Sequence, residues 1–226
     1  MTPLAYGTIA LLMVGPDNSD SATVIVFGAG LLGAWSATLF GAGESLYMQR
    51  FTGTMGMIAA SPAGFFRPVI GFALASATLG VYSIVAVALW SAAVFGIQFS
   101  VASIGGVFVA VIVALVSLVA IGVVLAGYYV LSRQAMTVSN LLEFPIWIIT
   151  GVLIPASVLW PPLQWAGKLL PLGWATDAVR AAIAGGDWLA PSLMAIALSG
   201  LYFGVAWILL VRVDRLIRIT GELELR

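Results

Sequence analysis

Along this chain the hydrophobic positions come as one apolar run after another, separated by short polar gaps. Five runs, about 22 to 46, 68 to 96, 104 to 131, 140 to 159 and 190 to 212, are long enough as helices to cross a bilayer. A shorter apolar stretch, Leu4 to Val14 within a first segment of about 4 to 15, precedes them. As a helix it covers only about 16 Å at roughly 1.5 Å per residue, against a hydrocarbon core of about 30 Å. It is either a half-span or the interior of a full helix that the chain enters late. Counting it, the pattern predicts an all-α integral membrane protein of six transmembrane helices in a single domain over 1–226, with no soluble domain and no internal repeat.

Composition strengthens that picture and removes chemistries. Hydrophobic residues make up 62% of the chain and charged residues 8%, against roughly 25% charged in an ordinary soluble domain. There is no Cys and no His, so disulfides, thiolate or imidazole metal sites, Ser-His and Cys-His catalysis and a histidine proton shuttle are all excluded. Basic and acidic residues balance, nine against nine, and no basic patch with interleaved aromatics points to nucleic acid. The N-terminal stretch has no basic n-region and no small-residue cleavage site, so it does not read as a signal peptide. If the spans alternate, Arg50, Arg67, Arg133, Arg212, Arg215, Arg218 and Arg226 share one side, leaving Lys168 and Arg180 on the other. That bias places both termini in the cytoplasm.

Two regions depart from plain spans. In the second span, small residues recur at every fourth position, Ala29, Gly33, Ala37 and Gly41. Such a ridge lets helices approach closely, either within one chain or across a dimer seam. Between the fifth and sixth spans, "WPPLQWAGKLLPLGWATDAVRAAIAGGDWLAP" holds four of the eight Trp and four of the ten Pro. Its apolar content and Pro breaks predict two short helices dipping into the outer leaflet, about 160–189, with Thr176 or Asp177 as a cap and an end at Gly185 and Gly186. Broken backbone at that depth needs protein or a water-filled cavity around it.

Charges near the membrane come next. Glu44 lies near the cytoplasmic end of the second span, and Glu143 follows Asn140 at the start of the fifth. Asn140 with Glu143 reads as a capping pair, and the alternatives are a gating role or an ion pair with Arg133. No charged residue sits at mid-bilayer, where a proton- or sodium-coupled carrier would normally need one. The phosphate-cradling pattern GxxxxGK[ST] is absent as well. Any energy for transport therefore comes from outside the chain. On the cytoplasmic side, about 51–60, Phe51, Met55 and Ile58 share one face of a short helix, opposite Thr52, Gly53, Thr54 and Gly56. It ends at Ser61 and Pro62, and is either a plain loop or a docking element at the membrane surface.

The stretch "GESLYMQRFTGTMGMIAASP" resembles the coupling-helix region of bacterial ABC exporter permeases of the type 2 class. There an acidic residue, a basic residue and a Gly-Thr precede a short helix ending in Ser-Pro or Thr-Pro. The later stretch "GVLIPASVLWPPLQWAGKLLPLGWATDAVRAAI" is similar to the same family's Pro-rich turns, "LP", aromatic and "A-hydrophobic-R" ending. The resemblance implies a dimer of permeases, identical or paralogous, each docked on a separate ATPase subunit that binds the ATP and Mg, with no cofactor on this chain. It implies that Arg50, Phe51, Thr52, Gly53, Thr54, Met55, Ile58 and Pro62 contact that subunit. Pro161, Pro162, Pro171, Asp177 and Arg180 would belong to an outer re-entrant hairpin capping the translocation path. Members of the family usually begin with an amphipathic helix and a complete first span, and against that pattern the chain reads as a shortened form or one entered late.

With bare, Gly-rich span interiors, the expected cargo is amphiphilic, a drug-like molecule, lipid or lipid-linked glycan, moved across a bacterial inner membrane. Rival readings are a self-powered channel or secondary carrier, a shortened non-transporting assembly subunit, and an intramembrane enzyme. The last is left without His, Cys or a DxxD carboxylate pair.

Overall fold

The computed structural model describes residues 4–5, 7–9, 12, 19–52, 66–131, 135–152 and 158–220, and all regular structure among them is helical. The helices are α1 (Ser19–Phe51), α2 (Phe66–Phe95), α3 (Ile104–Leu131), α4 (Ala135–Ile149), α5 (Pro161–Leu169), α6 (Pro171–Ala184) and α7 (Leu189–Thr220). Four contain stretches long and apolar enough to cross a membrane: Ala22–Gly41, Arg67–Phe95, Ile104–Tyr129 and Leu189–Arg215. Even the shortest of these covers about 30 Å as a helix. Leu4, Ala5, Gly7, Thr8, Ile9 and Leu12 are also helical.

α3 is the axis of the molecule. It carries no charged residue, and a helix that is apolar all round belongs inside a bundle. It packs on α1, α2, α6 and α7, and its Val113, Ala114, Leu118 and Ile121 join Leu31, Trp35, Leu39, Trp147 and Leu172 in the largest core cluster. A second cluster ties α3 to α2 and α7 through Val123, Ala126, Val69, Ala206 and Leu210. Lipid tails are as apolar as these side chains, so close fit and buried hydrogen bonds decide the packing. Ser117, on α3, and Ser199, on α7, are both buried with their hydroxyls 3.2 Å apart. Each hydroxyl also donates to the carbonyl one turn back, Val113 and Ala195 respectively, so neither is stranded in an apolar interior.

The small residues of α1 are used inside the chain. A Cβ on Gly30 would sit 2.8 Å from the Ile84 Cα, one on Gly41 2.5 Å from the Ser76 Oγ, and one on Gly80 2.8 Å from the Ala34 Cβ. Hydrogen atoms at these positions let α1 and α2 run backbone against backbone. Of the predicted ridge, Ala29 and Gly33 are buried, while Ala37 and Gly41 are half-buried.

The helices alternate between two ends. At one end, the Ser100 N–H donates to Thr23 Oγ1 (3.2 Å) and the Ala102 N–H donates to the Ile183 carbonyl (3.1 Å). These bonds gather the start of α1, the α2–α3 connection and the end of α6. Thr52, Arg67 and the arginines of α7 lie at the opposite end, by the direction of their helices.

One predicted span differs. The segment 140–159 does not form one helix: α4 starts earlier, at Ala135, and stops at Ile149. Its apolar part, Thr137–Ile149, is too short to cross alone. The break falls at Gly151, whose φ of 72° lies in the left-handed region where a Cβ is disfavoured.

Candidate functional site

A helix that ends among apolar neighbours exposes its last carbonyls, and those oxygens need partners. For α4 the hairpin α5–α6 provides them. The Thr176 hydroxyl shares its proton between the Thr150 carbonyl and the Gly173 carbonyl of its own helix, each at 2.8 Å. The Arg180 guanidinium donates to the Gly151 carbonyl and, at 3.3 Å, to that of Val152. Two glycines let backbone approach the same carbonyls. A Cβ on Gly28 of α1 would lie 2.6 Å from the Val152 oxygen, and one on Gly167 of α5 would collide with the Ile149 oxygen. Burial lowers the Arg180 pKa, and neighbouring Asp177 raises it in partial compensation; the group stays cationic at neutral pH.

The hairpin owes its shape to its prolines. Pro161 and Pro162 occupy the first positions of α5, where a missing N–H costs nothing, and both are exposed. Pro171 starts α6 in the same way and is buried. Between the two helices Leu170 is extended, and a Cβ on Gly173 would run into the Gly167 carbonyl, so the helices meet backbone to backbone. Lys168 locks the corner. Its ammonium pairs with Asp177 and sits 4.0 Å above the Trp174 ring, while the Trp174 indole N–H donates to the Lys168 carbonyl at 2.9 Å. Asp177 and Thr176 lie within α6 and do not cap it, because Pro171 begins the helix sooner; Gly185 ends it in the left-handed conformation.

The second feature joins α1 to α4. Ser36 Oγ donates to Glu143 Oε1 at 2.9 Å, with both side chains half-buried. Asn140 is an exposed interior position of α4, since the helix begins at Ala135, so Asn140 and Glu143 do not form a cap. The Glu143 side chain is held by this hydroxyl and not by a helix terminus. Arg133, the alternative partner, lies outside the described residues. Glu44 is in α1, but its side chain lies outside them too.

The third feature is the end of α1. Arg50 and Phe51 belong to its last turn, and Thr52 is an exposed turn residue whose hydroxyl donates to the Met48 carbonyl at 3.1 Å. Gly53, Thr54, Met55, Ile58 and Pro62 lie outside the described residues. Ser36, Thr150 and Gly167 escaped the sequence reading. Only the Thr-Gly pair at 150–151 carried a usable signal, a helix stop hidden inside an apolar run.

Among the described residues no cluster of His, Cys, Asp or Glu could hold a metal. An all-helical body with membrane-length helices, and a Pro-rich hairpin seated on a broken one, has the architecture of a helical membrane protein. Residues 1–184 match the family model for the ABC-2 type transporter, and the chain belongs to that family. Among curated proteins, none matches this chain. It is thus a multi-pass membrane protein, a permease of the ABC transporter kind, from a family that generally works with an ATPase subunit.

Proposed function

We propose that this chain is the membrane subunit of an ATP-driven exporter of the cell membrane, with six membrane segments, one of them the short α4 that does not cross alone, cytoplasmic termini and an amphiphilic cargo. It pairs with a second permease and docks on a separate ATPase, which binds ATP and Mg, through residues 51–60. The observation that carries this reading is the continuity of α1. It runs unbroken from Ser19 to Phe51, 33 residues, or about 50 Å at roughly 1.5 Å per residue against a hydrocarbon core of about 30 Å. That single rod starts where the segment 51–60 begins, holds Glu143 through Ser36, and presents Gly28 to the Val152 carbonyl at the broken end of α4. A push at 51–60 is thereby delivered to the hairpin seat without any flexible joint.

The absence of charge at mid-membrane supports an external motor. Among the described residues of the four membrane-length stretches, the charged ones, Arg67, Arg212, Asp214 and Arg215, all lie in the four residues at one end of their stretch. Nucleotide shifts the permease only to the extent that the ATPase binds its two states differently. Purification from native membrane tests the reading directly: an ATPase subunit is expected in stoichiometric amount, and its consistent absence overturns the proposal. Within that complex, Met55→Asp or Gly53→Pro is expected to abolish cargo-stimulated ATP hydrolysis while helix content by circular dichroism stays unchanged.

A further inference from the structure

At the far end of α7, Trp207, Ile208, Val211, Arg212 and Arg215 line an open cavity of about 290 Å³. All five side chains are exposed. The helical spacing puts them on one face, apolar residues first and the two guanidiniums at the rim. Among the described residues neither arginine meets a carboxylate. Such a strip has the polarity of an amphiphile turned inside out: cation at the boundary, hydrocarbon below it.

We propose that this cavity binds an anionic phospholipid, its phosphodiester held between Arg212 and Arg215 and its acyl chains lying along Val211, Ile208 and Trp207. Guanidinium is planar and forked, which suits phosphate oxygens better than a point charge does, and an indole favours the interfacial depth just below. A second copy of the chain is the poorer occupant. A two-fold contact here would set arginines against arginines. The described carboxylates that could answer them are engaged or remote: Asp177 with Lys168, Glu143 with Ser36, Asp187 at the opposite end of the bundle, and Asp214, half-buried on α7 between the two arginines, with a partner of its own. The inference rests on α7 crossing the membrane and not on the exporter reading.

Native mass spectrometry of the purified full chain, titrated with phosphatidylglycerol, phosphatidylcholine of the same acyl chains, or inorganic phosphate, tests it. Each arginine at such a boundary contributes a factor of about five, so phosphatidylglycerol is expected to bind roughly twentyfold more tightly than phosphatidylcholine. Arg212→Gln with Arg215→Gln is expected to erase that preference, the paired Lys substitutions to keep part of it, and Arg67→Gln to leave it intact. Equal binding of the two lipids overturns the proposal, as does an equal loss in Arg67→Gln, or inorganic phosphate binding as tightly as phosphatidylglycerol. Should the double Gln variant not fold, a photoreactive phosphatidylglycerol decides on the wild type: cross-links within residues 207–215 are expected, and cross-links confined elsewhere refute the site.

Discussion

Gly167 and Gly200 are both glycines inside helices, the first buried and the second exposed, and their tolerance should differ sharply. Gly167 faces the Ile149 carbonyl, which is backbone and cannot swing aside, whereas nothing lies within 4 Å of a Cβ on Gly200. Gly167→Ala is therefore expected to cost about 1–3 kcal/mol through forced separation of α5 from α4. Gly200→Ala should stay within about 0.5 kcal/mol. Thermal unfolding of the two purified variants checks the contrast, and equal midpoints would remove the close-approach account. At this scale the prolines were legible as breaks that make two short helices, but not as their first residues: Pro161, Pro162 and Pro171 all start helices, where the sequence suggested a start at Thr176 or Asp177. Thr150 and Gly151 were not. Hydropathy treats "WIITGVLIP" as one apolar run, and only the partners of the freed carbonyls, Thr176 and Arg180, show why a break there is tolerated.

Between elements, the contact of α1 with α4 depends on few polar atoms, so its worth is measurable. Ser36 and Glu143 are 107 positions apart in sequence, and no local pattern could have paired them. What local pattern does suggest, a cap at Asn140, fails because α4 begins a full turn earlier than the apolar run does. Polar pairs between membrane helices average about 0.6 kcal/mol and reach about 1.7, since the separated helices find other partners too. A double-mutant cycle of Ser36→Ala and Glu143→Ala in detergent is expected to return a coupling within that range. Strict additivity would mean that the hydroxyl does not hold the carboxylate. By contrast the small residues of α1 announced a close approach without naming the partner, within the chain or across a dimer seam; inside the chain Gly30, Ala34 and Gly41 meet Ile84, Gly80 and Ser76.

For the whole molecule the question is which end faces the cytoplasm. The bundle itself defines two ends: Ile183, Ala102 and Thr23 converge at one, while α1 finishes, α2 starts and α7 finishes at the other. Cations divide unequally between them. Arg67, Arg212 and Arg215, with Arg50 and Arg218 in the same terminal turns, occupy the second end, and Lys168 and Arg180 the hairpin end. Lys and Arg resist translocation, so the richer end is expected to stay inside. A chain without cysteine makes this testable without first stripping background thiols. Thr52 and Gly186 are both exposed and lie at opposite ends, so Thr52→Cys and Gly186→Cys can each report to a membrane-impermeant maleimide. In intact cells Gly186→Cys is expected to react, and Thr52→Cys only after permeabilisation. Labelling of both from outside would break the two-ended geometry. The reversed pattern would keep the geometry but put the end of α1 on the outer face, where no nucleotide is hydrolysed and where a push along that helix could not originate.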